Sequence, residues 1–278
     1  MLLGANLYGF GEQANSNLDQ LAYSLKKIGF DHLEPLVMPA QDNEMLQSPY
    51  VPRSVWSQDS FKPRVKRLKE QWGVSVFSCH IGIAPFDKIS NKIDDLLRLV
   101  DGTEVTQCIV SHEISAAEDC CKQADALSLA AERLAQVGVS LLYHTHEHEM
   151  AMVDAGDRTL PVIDYLLELS DPRVKLQVDV GWVRFAGVDE VKFLKNHRDR
   201  IGSIHLKDFK PNFDSEKRQS EIVAVGTGIL RLPEVLSEAV AMDLLNNLVI
   251  DQDYSPGSLL DDLAVAAKKI RSWNHSRA

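Results

Sequence analysis

The sequence is poor in cysteine and in basic side chains, and it contains no long apolar run. Its four cysteines, Cys79, Cys108, Cys120 and Cys121, stand at no spacing that suits a zinc cage or a disulfide framework, a usage that fits a reducing compartment. Lys and Arg number 30 against 40 Asp and Glu, a net charge of −10. Phosphate attraction needs basic surface, so a general binder of nucleic acid or of anionic membranes is excluded. No stretch approaches the roughly 20 apolar residues that cross a bilayer. The opening MLLGANLYGFGEQ has neither the basic start nor the apolar stretch of a secretory leader, so the expectation is a soluble cytoplasmic protein. No glycine-rich phosphate fingerprint follows an early apolar run, which argues against a doubly wound dinucleotide-binding sheet. What is present is ordinary for a globular chain, with 45% hydrophobic and 25% charged residues over 278 positions. That composition excludes disorder as the main state, and the length suffices to bury a core without staples.

Short apolar runs alternate with amphipathic helical stretches along the whole chain. Strands are expected over 2–8, 30–37, 74–81, 107–114, 139–143, 174–180, 203–207 and 247–251. Helices are expected over 17–28, 61–72, 89–100, 116–137, 161–170, 190–200, 230–242 and 259–273, with Asn17 as an N-cap and Gly29, Gly73 and Gly138 as stops. The long polar loop over 38–60 is of the kind that covers sites. Eight strand-then-helix units without a composition break predict an α/β fold, a single (β/α)8 TIM barrel occupying one domain over residues 1–278.

Barrel chemistry sits at the C-terminal ends of the strands. Those ends read Tyr8, Glu34, His80, His112 with Glu113, His144 with His146, Asp179, His205 with Lys207, and Asp251 with Asp253. Unpaired ionisable groups are costly in an apolar interior, and carboxylates converging with neutral imidazoles suit a divalent cation. In the segment from Tyr143 to Glu149, extended periodicity puts His144, His146 and His148 on one face. Glu149 is free to curl back once the strand ends, and a solvated polar loop is the plain alternative. Gln177 and Asp179 share a face, and Gly181 permits a tight strand-to-helix turn. Asp179 has a second role open to it, capping the next helix. Trp182 suits either core or a substrate platform. His205 and Lys207 point the same way, as do Asp251 and Asp253.

At these residues the chain resembles the xylose-isomerase-like TIM barrel superfamily, in its sugar phosphate isomerase/epimerase branch. The segments that carry the likeness are YHTH with Glu149 downstream, Asp179-Val180-Gly181-Trp182, His205-Leu206-Lys207-Asp208, Val225-Gly226-Thr227-Gly228 and Ile250-Asp251-Gln252-Asp253. The last three are similar to inosose dehydratases and isomerases. The resemblance implies one divalent metal ion, Mn2+ first and otherwise Mg2+, Co2+ or Zn2+, held by Glu149, Asp179, His205 and Asp251. Many members carry Glu where His144 stands, so His144 is the alternative ligand to Glu149. Members usually have Glu where this chain has the shorter Asp251, and the usual glycine-acid-glycine loop reads Gly226-Thr227-Gly228 here. Catalytic roles fall to His146, Lys207 and Glu34, and substrate contacts to His80, His144, Trp182 and Asp253.

The implied chemistry is proton removal beside a carbonyl, with the metal stabilising the enediolate. Returning the proton elsewhere gives an isomerase or epimerase of a keto-sugar or cyclitol, which is the leading reading. Losing a β-hydroxyl gives an inosose or keto-sugar dehydratase, the second. A barrel that binds a sugar without turning it over is the third. The expected partner is a small sugar or cyclitol, with no nucleic acid and no membrane, and a homo-oligomer is one option.

Overall fold

Near-continuous burial along short apolar segments places eight parallel strands side by side and closes them into a ring. The computed structural model describes residues 1–38, 53–82, 89–114 and 116–276. In chain order the strands are β1 (Leu3–Asn6), β2 (His32–Glu34), β3 (Leu36–Met38), β4 (Trp56–Ser57), β5 (Ser78–Ile81), β6 (Gln107–Val110), β7 (Ser140–His144), β8 (Met152–Asp154), β9 (Thr159–Pro161), β10 (Lys175–Asp179), β11 (Ile201–Leu206), β12 (Asp208–Phe209), β13 (Ile222–Val223) and β14 (Leu248–Ile250). The main sheet runs β2-β1-β14-β11-β10-β7-β6-β5-β3-β4. Because β2 and β3 are halves of one extended stretch interrupted at Pro35, the sheet's two ends meet and the barrel closes. Proline cannot donate to a ladder, but its carbonyl still accepts from His80 N at 2.9 Å, so the neighbouring strand stays attached.

The expected units recur with trimmed ends. The third strand is shorter than 74–81, with Ser75 making only an isolated bridge to His32. The fourth stops at Val110, which leaves His112 and Glu113 exposed beyond it. The helix expected from 61 begins at Gln58 and widens into a looser turn over Leu68–Trp72. Asn17 precedes the helix Leu18–Ile28 but makes no side-chain cap, while Gly29 ends it at φ +105°, a conformation that favours glycine. The loop expected over 38–60 falls largely on residues 39–52, outside the described residues. Two features lay beyond the periodicity: the antiparallel pairs β8 with β9 and β12 with β13. No described helix is long and apolar enough to cross a membrane.

Candidate functional site

The C-terminal ends of the barrel strands surround a cavity of about 320 Å³, lined among others by Tyr8, His80, His144, His146, Trp182, Lys207, Asp251 and Asp253. That is the small end of the range for ligand pockets. At and under its floor, His144 at the end of β7, Asp179 of β10, His205 of β11 and Asp251 just past β14 offer ligand atoms all within 4.8 Å of one another. All four are buried. Adjacent parallel strands in register bring them together: Asp179 pairs with His205, and His205 with Val249, two residues before Asp251.

Asp179 performs both roles foreseen for it. Its Oδ1 accepts from Trp182 N at 3.0 Å and caps the helix Val180–Phe185, while Oδ2 has no hydrogen-bond donor among the described residues. Asp251 Oδ1 is likewise without a donor. Gly181 is needed for a reason other than turn geometry: a Cβ there would meet the Lys207 carbonyl oxygen at 2.6 Å.

Lys207 is only 1% exposed, and its Nζ lies 2.6 Å from Asp253 Oδ2, 2.9 Å from Asp251 Oδ2 and 3.5 Å from Asp179 Oδ2. Burial favours its neutral form, but Asp251, Asp253 and Asp179 outweigh that and push its pKa well above the usual lysine value. It is therefore a donor at neutral pH and not a base. Burial also raises Asp179 to about 6 and, with the repulsion of Asp251, raises Asp253 to about 7. In Asp251 burial is outweighed by Lys207 and His205, which hold its pKa well below the carboxylate range.

Beneath this layer lies Glu34, wholly buried and absent from the cavity lining. It accepts from Asn6 Nδ2 at 3.1 Å, Ser78 Oγ at 2.5 Å, Gln177 Nε2 at 3.0 Å and His205 Nε2 at 2.6 Å. Burial would raise its pKa, yet His205 and His80 hold it well below the usual value. His205 in turn is raised against burial to about 10 by Glu34 and Asp251. Glu34, expected to be catalytic, thus touches His205 and lies off the cavity wall, where it cannot meet a substrate directly. His80 lines the cavity, with Nε2 3.0 Å from Glu34 Oε1 but outside hydrogen-bond geometry.

The strand-seven region separates the two ligand candidates, His144 and Glu149. His144 joins the four-residue group, whereas Glu149 turns toward the backbone N of His146 (2.7 Å), the Tyr143 hydroxyl (2.6 Å) and His148 Nε2 (2.9 Å). Glu149 forms with His146 and His148 a separate group of three. His146 lines the cavity with Nδ1 free of partners among the described residues, and burial lowers its pKa to about 4. Trp182 is mostly core, packed against Phe185 and Phe209, yet its ring also lies 5.0 Å from Lys207 Nζ and 5.1 Å from the Arg218 guanidinium.

Sequence reasoning gave no role to Gln177 or to Arg218 and Gln219 at the cavity mouth. Gln177 had a signal, its place on the same face two residues before Asp179; Arg218, which opens a short 3-10 turn over Arg218–Glu221, had none. Asp208 holds that side together: its carboxylate accepts from the backbone N of Phe209, Gly226, Gly228 and Leu230 at 2.8–2.9 Å.

A closed ring of parallel strands with its ionisable residues gathered at one mouth defines an α/β-barrel of the enzyme type. The chain belongs to the xylose isomerase-like TIM barrel family, whose family model matches residues 22–272. It is similar to an inosose dehydratase of Geobacillus thermodenitrificans, with 33% identity over 113 residues, or 39% of this chain and 36% of that protein. The chain thus matches little more than a third of that relative's length. In fold it is similar to a sugar phosphate isomerase/epimerase from Parabacteroides distasonis, with TM-score 0.74 and 16% identity, covering 96% of this chain and 92% of the other. A second neighbour is a xylose isomerase-like TIM barrel protein from Mycobacterium smegmatis in complex with magnesium, with TM-score 0.69 and 13% identity over 99% and 97% of the two chains.

Proposed function

We propose that this protein is a divalent-metal-dependent isomerase or epimerase of a keto-sugar or cyclitol. The observation that carries this reading is the buried group of His144, Asp179, His205 and Asp251, in which Asp179 Oδ2 and Asp251 Oδ1 have no hydrogen-bond donor among the described residues. A buried carboxylate oxygen without a donor is costly, and a cation would satisfy both. Two imidazoles with two carboxylates suit Mn2+, Co2+ or Zn2+ better than an all-oxygen cation such as Mg2+. When bound, the ion supplies Lewis acidity to a substrate carbonyl and its neighbouring hydroxyl.

The chain's own residues do the rest. His146 carries the proton, because its imidazole is neutral at pH 7 and the residue lines the cavity. Lys207 donates toward a substrate oxygen and is held in place by three carboxylates. Asp253, with its pKa raised to about 7, exchanges a proton readily near neutrality. His80 and the face of Trp182 bound the substrate.

The inosose dehydratase among the relatives favours a second reading, in which the same proton removal is followed by departure of a β-hydroxyl. Incubating Mn2+-loaded protein with inososes and keto-hexoses in deuterium oxide separates the two. Solvent deuterium appearing in a rearranged sugar without loss of water is the expected result. Loss of water with formation of an unsaturated ketone moves the protein to the dehydratases. Neither change on any of these substrates counts against both and leaves a sugar-binding barrel.

A further inference from the structure

Gln177 lies at 0% exposure in the barrel interior and links His144 to Glu34, which in turn holds His205. Its Nε2 lies 3.0 Å from Glu34 Oε2 and 3.4 Å from Ser203 Oγ, and its Oε1 lies 2.8 Å from His144 Nδ1. An amide can be turned end for end, so the orientation has to be argued from its partners. Two of them settle it independently. Glu34 receives Asn6 Nδ2, Ser78 Oγ and His205 Nε2 on its two oxygens, which leaves it an acceptor toward Gln177. Ser203 gives its hydroxyl proton to the Asn247 carbonyl at 3.0 Å, so toward Gln177 it too must accept. Both therefore face the NH2 group, and the carbonyl oxygen of Gln177 faces His144.

A carbonyl oxygen only accepts, so His144 must carry its proton on Nδ1, leaving Nε2 as the lone-pair nitrogen. We infer that Gln177, locked by Glu34 and Ser203, is a positioning residue that selects the Nδ1–H tautomer of His144 and so presents Nε2 as a ligand atom at the cavity floor. The same carboxylate holds His205 through Nε2 and leaves Nδ1 directed toward Asp251 at 3.3 Å. One buried acid, directly and through one amide, thus orients both imidazoles, whose strand positions are 61 residues apart in the chain (205 − 144). The purpose assigned to Nε2 rests on the metal reading above; the tautomer does not.

Two readouts test this. In metal-free protein labelled with 15N-histidine, long-range proton–nitrogen spectra at pH 8 distinguish the two tautomers, with His144 assigned by its loss in His144→Gln. The parent should show His144 protonated on Nδ1. Gln177→Met, similar in shape but without the amide, should shift His144 toward the Nε2–H form that free imidazole side chains favour in water. Mn2+ affinity should fall by about 10- to 100-fold, the usual loss when the partner behind a ligand is removed. Glu34→Gln, which can accept or donate, should unlock the amide and give a mixture of tautomers; it also supplies the readout if Gln177→Met does not fold. A parent with the proton on Nε2, or both variants retaining the parent tautomer, overturns the inference. If the parent shows the Nδ1–H tautomer but binds no Mn2+, the inference stands and the metal reading falls.

Discussion

Glu34 and Asp179 are both carboxylates with no exposed surface, both at the end of an inner barrel strand, and both in reach of His205 or Lys207. They differ in how completely they are satisfied. Glu34 accepts from four side chains, whereas one oxygen of Asp179 accepts only from the cap of the following helix and the other from no donor among the described residues. Burial therefore does not separate these two carboxylates. The number of donors each receives does, four side chains for Glu34 against one backbone N–H for Asp179.

The largest test removes each acid in turn. Glu34→Ala leaves a protonated His205 and the Gln177 amide buried without their acceptor, and should cost about 3–5 kcal/mol of stability, the usual loss when one partner of a buried pair is deleted. Asp179→Ala removes a helix cap and should cost only about 1 kcal/mol, but it should lower Mn2+ affinity by more than about 100-fold, or roughly 2.7 kcal/mol. Urea unfolding and calorimetric titration of the two variants read both quantities. Equal losses in stability, or unchanged Mn2+ binding in Asp179→Ala, would erase the distinction between the layers.

A somewhat smaller effect concerns His32, which extends the Glu34 layer. Its Nε2 lies 2.8 Å from the Ser78 hydroxyl that donates to Glu34, and its Nδ1 lies 3.2 Å from both Phe77 N and the Ser75 carbonyl oxygen. Burial, partly offset by Glu34, lowers its pKa to about 4. A folded-state value below the unfolded value of about 6.5 means that the unfolded chain binds the proton more readily. The stabilisation is therefore complete above pH 6.5 and is lost as the pH falls toward 4, by up to roughly 3 kcal/mol. His144 and His146 act in the same direction, while His205, raised to about 10, loses its contribution as the pH rises above 6.5. The difference between the parent and His32→Gln isolates the one group. Unfolding free energies at pH 7.5 and 4.5 should converge for the two proteins at the lower pH, and parallel curves would remove His32 from the layer.

The smallest effect belongs to Asp251. It pairs with Lys207 and His205, yet keeps Oδ1 without a donor among the described residues, so pairing and ligation are both open to it. Asp251→Glu should bind Mn2+ within a factor of about 10 of the parent, about 1.4 kcal/mol, while Asp251→Ala should fall beyond that. Parent-like titration of Asp251→Ala would restrict the residue to its ion pair with Lys207.

Much of this protein is legible along the chain. Apolar periodicity and glycine stops are local signals, so the eight strand-helix units, the Asp179 cap and the shared face of His205 with Lys207 can be read from neighbouring residues alone. Strand-end position also names His144, Asp179, His205 and Asp251, because in a parallel barrel every strand delivers its last residues to the same mouth. Depth and partners are not legible, since they depend on ring closure. Glu34 meets His205 across 171 positions and Gln177 across 143, distances over which no period in the sequence carries information. That His144 and not Glu149 joins the four-residue group is likewise a tertiary matter, since the Tyr143 hydroxyl, His148 and the His146 backbone draw Glu149 away. Residue types are set by the chain, but which buried carboxylate is left wanting a partner follows from how many donors the closed barrel brings to it.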